Sequence, residues 1–157
     1  MAISPYLKRL RQAVGHETLL VPSVSVIIRD DSGRILLQQR ADNGEWCLPC
    51  GIMEPGERIV ETAIREVREE TGLDIKIVRL VGVYSDPLAY TYSNGDSIQP
   101  MLALFEGRVV SGVLMPDYEE VVQLGYFELE ALPESIAEQQ RMLIFDALAN
   151  RQEAFFR

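Results

Sequence analysis

Apolar positions change their period along this chain, and the changes mark its elements. Tyr6, Leu7, Leu10 and Val14 recur at roughly helical spacing with Lys8, Arg9 and Arg11 between them, which predicts a short amphipathic helix over residues 4–14, ended by Gly15. Residues 19–29 are rich in Val and Ile and predict a strand. Asp30-Asp31-Ser32-Gly33 predicts a turn, and residues 35–40 return as a second strand, so the two read as a hairpin. A turn at Ala41-Asp42-Asn43-Gly44 and a short extended segment over 46–49 lead to a loop over 51–56, with Pro55-Gly56 as its turn signal. A helix is predicted over 58–71, with Val60, Ala63, Ile64 and Val67 as its core-facing stripe and Gly72 as its C-cap.

Residues 75–84 predict another strand, broken by Ser85-Asp86-Pro87. Residues 90–93, Asn94-Gly95 and 97–105 form a hairpin signal, with Pro100 placing its strand at an edge or a bulge and 107–113 extending it. An acidic loop over 115–120 precedes a strand over 121–127. Leu132-Pro133-Glu134-Ser135 opens a last helix over 136–148, with Ile136, Met142, Leu143, Ile144 and Leu148 apolar. There is no repeat, low-complexity segment or linker. Hairpins wrapped around helices predict one domain over 1–157, an α/β/α sandwich with a mixed β-sheet. The helix within residues 1–15 can cover a sheet edge or pair with another copy in a homodimer.

Glu66, Glu69 and Glu70 crowd one side of the predicted helix near its C-terminal end. Like charges at i, i+4 cost roughly 0.2–0.5 kcal/mol each, and a helix C-terminus repels anions. A divalent, oxygen-preferring cation would remove that repulsion, and Mg²⁺ or Mn²⁺ suits an all-carboxylate site. Glu61 and Glu69 also flank Arg65 at four-residue spacing, so a solvated, salt-bridged helix face accounts for the same pattern.

The chain has 157 residues, 47% of them hydrophobic, enough for one domain with its own core. A net charge of −9 argues against broad contact with nucleic-acid backbone, and an anionic ligand would need a local cation or a metal. No apolar run approaches a membrane span, and Met-Ala-Ile-Ser-Pro-Tyr-Leu-Lys-Arg-Leu lacks the apolar core of a signal peptide, so the expected location is cytoplasmic. Cys47 and Cys50 have a C-x-x-C spacing. Zinc would need about two more ligands, and the chain offers only His16. A redox pair expects the second Cys to start a helix, whereas a loop follows here. The pair reads as two reduced thiols, and His16 has no assigned role.

Residues 51–73 as a whole are more specific. Gly51, five residues, Glu57, seven residues, then Arg65-Glu66-Val67-any-Glu69-Glu70-any-Gly72-Leu73 match every fixed position of the signature of the Nudix hydrolases. A chance match is on the order of one in ten million chains. The resemblance implies the sandwich fold above and hydrolysis, with Mg²⁺ or Mn²⁺, of a phosphoanhydride bond in a nucleoside diphosphate linked to another moiety. It implies that Glu66, Glu69 and Glu70 are metal ligands and that Arg65 holds them and pairs with Glu57. Glu57 is either a helix cap or a further ligand. Family members usually have Gly-Gly where this chain has Cys50-Gly51, and the backbone carbonyl of the first often binds metal; Cys50 keeps that carbonyl.

A further carboxylate normally comes from a distant loop, and Glu119 and Glu120 are the candidates, with Glu120 preferred as the base. Arg40 at its strand end is a candidate for meeting a phosphate, and Tyr90 and Tyr92 for stacking on a base. Pro87 lies near the proline of ADP-ribose hydrolases, while Tyr90 and Tyr92 lie near the tyrosine of dinucleoside polyphosphate hydrolases. The substrate is expected to be ADP-ribose or a nucleotide sugar. A dinucleoside polyphosphate, an oxidised nucleoside triphosphate, or a purely nucleotide-binding regulatory role are the alternatives.

Overall fold

Hydrogen bonding sorts the strands into two sheets. The computed structural model describes residues 4–92 and 94–157. Its elements run α1 (Pro5–Val14), β1 (Leu19–Ile28), β2 (Ile35–Arg40), β3 (Trp46–Cys47), β4 (Cys50–Ile52), α2 (Ile59–Thr71), β5 (Leu73–Ser85), β6 (Tyr90–Thr91), β7 (Ser97–Gly112), β8 (Val121–Phe127), a 3₁₀ turn (Leu129–Ala131), α3 (Glu138–Leu148) and β9 (Phe155–Phe156). The larger sheet has the order β4-β1-β7-β5-β9, with β6 also on β7; the smaller is β3-β2-β8. The larger sheet is mixed: β1–β7 and β5–β9 are parallel and its other pairings antiparallel.

Strand alternation sends side chains to opposite faces. Val24, Val26 and Ile28 of β1 pack with Ala63 and Val67 of α2. Ile27, between them in sequence, packs with Leu143, Ile144 and Ala147 of α3. The two cores on either side of the larger sheet give the α/β/α layering expected from the sequence. A smaller cluster seats Leu7 of α1 on Val21 and Ile98, over the starts of β1 and β7. Arg11 ties the helix down there, donating to Ser97 O at 2.6 Å and Glu17 O at 2.7 Å. His16, given no role above, bonds Asp96 at 2.8 Å.

Four expectations need correction. Residues 19–40 are not a hairpin. The turn forms, with Asp30 Oδ1 accepting from Ser32 N and Arg34 N, but β1 and β2 share a single bridge, Arg29–Ile35, and part into different sheets. β1 has β7 along its whole length on one side and β4 at Ser23 to Ser25 on the other, while β2 is taken up between β3 and β8. Next, Pro100 sits inside β7, a central strand. It falls between Ile98, paired with β6, and Met101, paired with β5, where the neighbouring strand changes.

The last helix starts at Glu138, not at 136. Trp46 N donates to Ser135 O, and Ile136 bridges to Trp46, so this backbone is committed to β3 before the helix begins. Finally, Val60 is 38% exposed, and Ile59 takes its place in the stripe. Residues 59, 63 and 67 are four apart, and position 70 continues the same line, which carries a glutamate into the interior. Part of the 90–93 strand signal, Ser93, lies outside the described residues; Tyr90 and Thr91 pair with Ile98 and Ser97.

Gly72 ends α2 with φ 72° and donates to Arg68 O at 2.9 Å. A Cβ there would lie 2.5 Å from Val113 O, a backbone atom that cannot easily yield. Gly72→Ala should therefore lower stability by about 2 kcal/mol, read as a shift of the urea midpoint.

Candidate active site

The loop and helix from Gly51 to Glu70 bring their carboxylates against the larger sheet. Gly51 lies in β4, paired with Val24 of β1. A Cβ on Gly51 would stand 1.9 Å from Glu66 Cδ and 2.2 and 2.3 Å from its oxygens, so only glycine lets that carboxylate rest on the strand. Burial pushes the Glu66 pKa up to about 7; Arg65 opposes this, while Glu69 and Glu120 add to it. Glu70 is 5% exposed. Its Oε1 accepts from Gln38 Nε2 at 2.7 Å and its Oε2 from Cys50 N at 2.9 Å. Burial nevertheless holds its pKa well above the carboxylate range.

Arg65 gathers the remaining acids. It meets Glu57 Oε1 through Nε at 2.6 Å, Glu66 Oε1 and Glu69 Oε2 through Nη1 at 2.9 and 3.0 Å, and donates to Ile52 O at 3.3 Å. The Glu69 side chain is 60% exposed and reaches outward. Glu57 is not the helix cap: Glu61 accepts from Arg58 N at 2.8 Å at that end. Glu57 Oε2 instead accepts from Glu54 N and Thr62 Oγ1.

The Arg65 bond is the chief cause that lowers the Glu57 pKa to about 2, with Glu54 N and Thr62 helping. A lowered carboxylate pKa adds stability above the unfolded value, 4.5. That stability is lost as pH falls towards about 2. Wild type should thus melt above Glu57→Gln at pH 7, and the gap should close between pH 4.5 and 2.

These side chains face a cavity of about 560 Å³, whose far wall is the loop before β8. Asp117 Oδ1 shapes that loop by accepting from the backbone N of Glu119, Glu120 and Val121 at 3.1, 3.0 and 2.9 Å. Glu54, Glu57, Glu66, Glu69, Glu70, Asp117, Glu119 and Glu120 all line the cavity, and Arg65 is the one cation among its described lining residues. Among the described residues no three acidic, Cys or His side chains close on a common point. Arg65 holds Glu57, Glu66 and Glu69, and Gln38 with Cys50 N holds Glu70. The donor set is oxygen throughout, it concentrates negative charge, and Gly51 gives the Glu66 carboxylate room against β4. Those features fit a hard divalent cation.

A second cavity, of about 720 Å³, shares Cys50, Gly51 and Ile52 with the first. Arg40, Tyr90 and Tyr92 line it. Arg40 is paired with Asp42. Tyr90 and Tyr92 stand edge to face, 4.8 Å between ring centres. Cys47 and Cys50 are free thiols, one in each sheet. The hydrogen bond between the Cys50 and Cys47 thiols, and burial, both raise the Cys50 pKa. Gln38 is the residue that the sequence pattern did not single out. A Gln pair, Gln38-Gln39, closing the apolar run Ile35-Leu36-Leu37 is the available signal, but the partner of Gln38 lies 32 residues away.

The NUDIX domain family model matches residues 19–147. The NAD-capped RNA hydrolase NudC of Vibrio atlanticus is 32% identical over 120 residues, 76% of this chain but only 41% of NudC. An ADP-ribose pyrophosphatase of Methanocaldococcus jannaschii is 33% identical over 129 residues, covering 79% of this chain and 72% of that protein. The crystal structure of a UDP-X diphosphatase superposes with a TM-score of 0.72 at 21% identity, over 100% of this chain and 76% of that one, a likeness of fold. With the matched span running from β1 into α3 and enclosing the signature helix and most of both cavities, the chain belongs to the Nudix hydrolase family.

Proposed function

We propose that this protein hydrolyses a phosphoanhydride bond in a nucleoside diphosphate linked to another moiety, with ADP-ribose or a nucleotide sugar as the substrate class. The observation that carries this reading is the junction of the two cavities at Cys50, Gly51 and Ile52. One side is acidic and suited to a cation. The other is roomier, with Tyr90 and Tyr92 on its wall. A molecule whose pyrophosphate links an aromatic nucleoside to another moiety matches that sequence of environments. The names of the relatives, an ADP-ribose pyrophosphatase and an NAD-capped RNA hydrolase, support the same bond type.

Glu66, Glu69 and Glu70, with Glu57 and the Cys50 carbonyl, would hold Mg²⁺ or Mn²⁺. Such an ion, when bound, offsets the charge of the phosphoanhydride oxygens and lowers the pKa of a bound water. The chain's own residues do the rest. Arg65 fixes Glu57, Glu66 and Glu69, and Gln38 fixes Glu70. Arg40 meets a phosphate oxygen from the second cavity. Glu120, on the wall facing the helix, takes the proton of the attacking water.

Glu120→Gln should lower kcat by about 10²–10⁴-fold with little change in KM. Activity should recover in part as pH rises and hydroxide replaces the base. Glu119→Gln should be nearly silent; if it is the crippled variant, the base is Glu119. Nucleotide release from ADP-ribose, UDP-sugars, diadenosine polyphosphates and nucleoside triphosphates, each with Mg²⁺ and with Mn²⁺, tests the substrate class. Fastest turnover of a nucleoside diphosphate-linked sugar is expected. Preference for a dinucleoside polyphosphate or a triphosphate would replace that class, and no turnover of any would leave a binding role.

A further inference from the structure

The second cavity holds a polar group that the chemistry above does not use. Ser23 of β1 pairs with Ile52 of β4 on one side and Leu102 of β7 on the other, and Leu102 pairs with Tyr84 of β5. All four line the cavity, so Ser23 stands in the middle of its sheet-side wall. Ser23 is 6% exposed, and among the described residues its Oγ has no hydrogen-bond partner. Its neighbours on the same wall are committed: Ser25 Oγ donates to Pro49 O at 3.2 Å, and Tyr84 OH donates to Asp146 Oδ2 at 3.0 Å.

A buried hydroxyl left unpaired costs stability, and native structures keep few of them. Apolar residues would fill this row as well, since Ile52 and Leu102 already do. The hydroxyl therefore has a use in the bound state. Ile52, its cross-strand neighbour, borders both cavities, so Ser23 lies one strand away from the junction where the pyrophosphate would sit.

We propose that Ser23 is a specificity-determining residue whose hydroxyl hydrogen-bonds the nucleoside part of the substrate, at a ribose hydroxyl or at the base edge. This rests on reading the acidic cavity as the phosphate end. A hydroxyl both donates and accepts, so it serves either group. The tyrosine pair at the cavity wall supplies an aromatic surface but no comparable discrimination, because every base has a stacking face.

The test uses nucleosides, which carry no phosphate and so probe the second cavity without metal or turnover. Adenosine, guanosine, cytidine and uridine are titrated by NMR into the full chain and into Ser23→Ala. The proposal expects the wild type to bind at least one, and Ser23→Ala to bind it about tenfold more weakly. The 2′-deoxy, 3′-deoxy and base-edge analogues then distinguish the two sources: the analogue lacking the bonded group should bind both proteins equally. Without ligand, Ser23→Ala should melt at the same temperature as wild type or higher. The proposal is overturned if wild type binds no nucleoside, or if Ser23→Ala changes no affinity. It is also overturned if the variant weakens every analogue alike. Ser23-dependent binding in a protein without hydrolytic activity would sink the proposed reaction and sustain this inference; hydrolysis with Ser23 silent in binding would do the reverse.

Discussion

Glu66→Gln should lower metal-dependent hydrolysis by about 10³-fold or more while leaving the fold intact. Gln has nearly the same shape, and its amide oxygen can still accept from Arg65 Nη1, which meets Glu66 at 2.9 Å. What would be lost is one negative charge and one oxygen ligand of the proposed metal site, where a bound ion would supply several kcal/mol of transition-state stabilisation. Each ~1.4 kcal/mol is a factor of ten in rate. Stability should move the other way. Burial raises the Glu66 pKa from 4.5 to about 7, so folding carries a penalty that is absent below pH 4.5 and complete above pH 7. At pH 8 with chelator present, the variant should melt no lower than wild type. An inactive protein that is as stable as its parent separates a lost ligand from a damaged fold. Wild-type turnover by Glu66→Gln, with unchanged metal dependence, would remove Glu66 from the site.

Gly51→Ala should reduce kcat/KM by about 10²-fold or more through a single methyl group. The added Cβ would stand 1.9 Å from Glu66 Cδ, closer than any two such atoms can approach. What it strikes is the far end of a flexible side chain, so the carboxylate swings away and the strand stays in place. The stability loss should therefore stay within the roughly 1–3 kcal/mol of ordinary overpacking. If Glu66 belongs to the catalytic machinery as proposed, a displacement of about 1 Å costs about 10²-fold in rate. Rate constants and urea midpoints measured on the same preparation check the split. A variant that loses stability and activity in proportion would show that Gly51 serves the fold rather than Glu66.

Much of this arrangement is legible in the amino-acid sequence, and the reason is local. Helix α2, its glycine stop and its glutamates are set by spacing within about twenty residues, where helical periodicity speaks directly. The acidic loop before β8 is legible as a charge cluster. What escapes the sequence is long-range. Asp30 to Gly33 makes its turn as the residue types require, yet whether the flanking strands then pair depends on which neighbours β1 and β2 already have. Pro100 marks an edge by rule, but a central strand tolerates it where one partner gives way to another. Gln38 and Ser23 are ordinary polar residues in apolar strands. Only the packing of β2 under Glu70 gives Gln38 its bond, and only the placing of β1 beneath the second cavity sets Ser23 on its wall.

The proposed metal-dependent cleavage of a P–O–P linkage at the acidic cavity can be followed atom by atom. The protein is incubated with ADP-ribose in ¹⁸O-labelled water, with Mg²⁺ and in parallel with excess chelator, and the products are read by mass spectrometry. AMP and ribose 5-phosphate are expected, with one ¹⁸O on the phosphate of one of them, and no reaction under chelator. Intact substrate, equal rates with chelator, or cleavage that leaves ADP whole would contradict the proposed reaction.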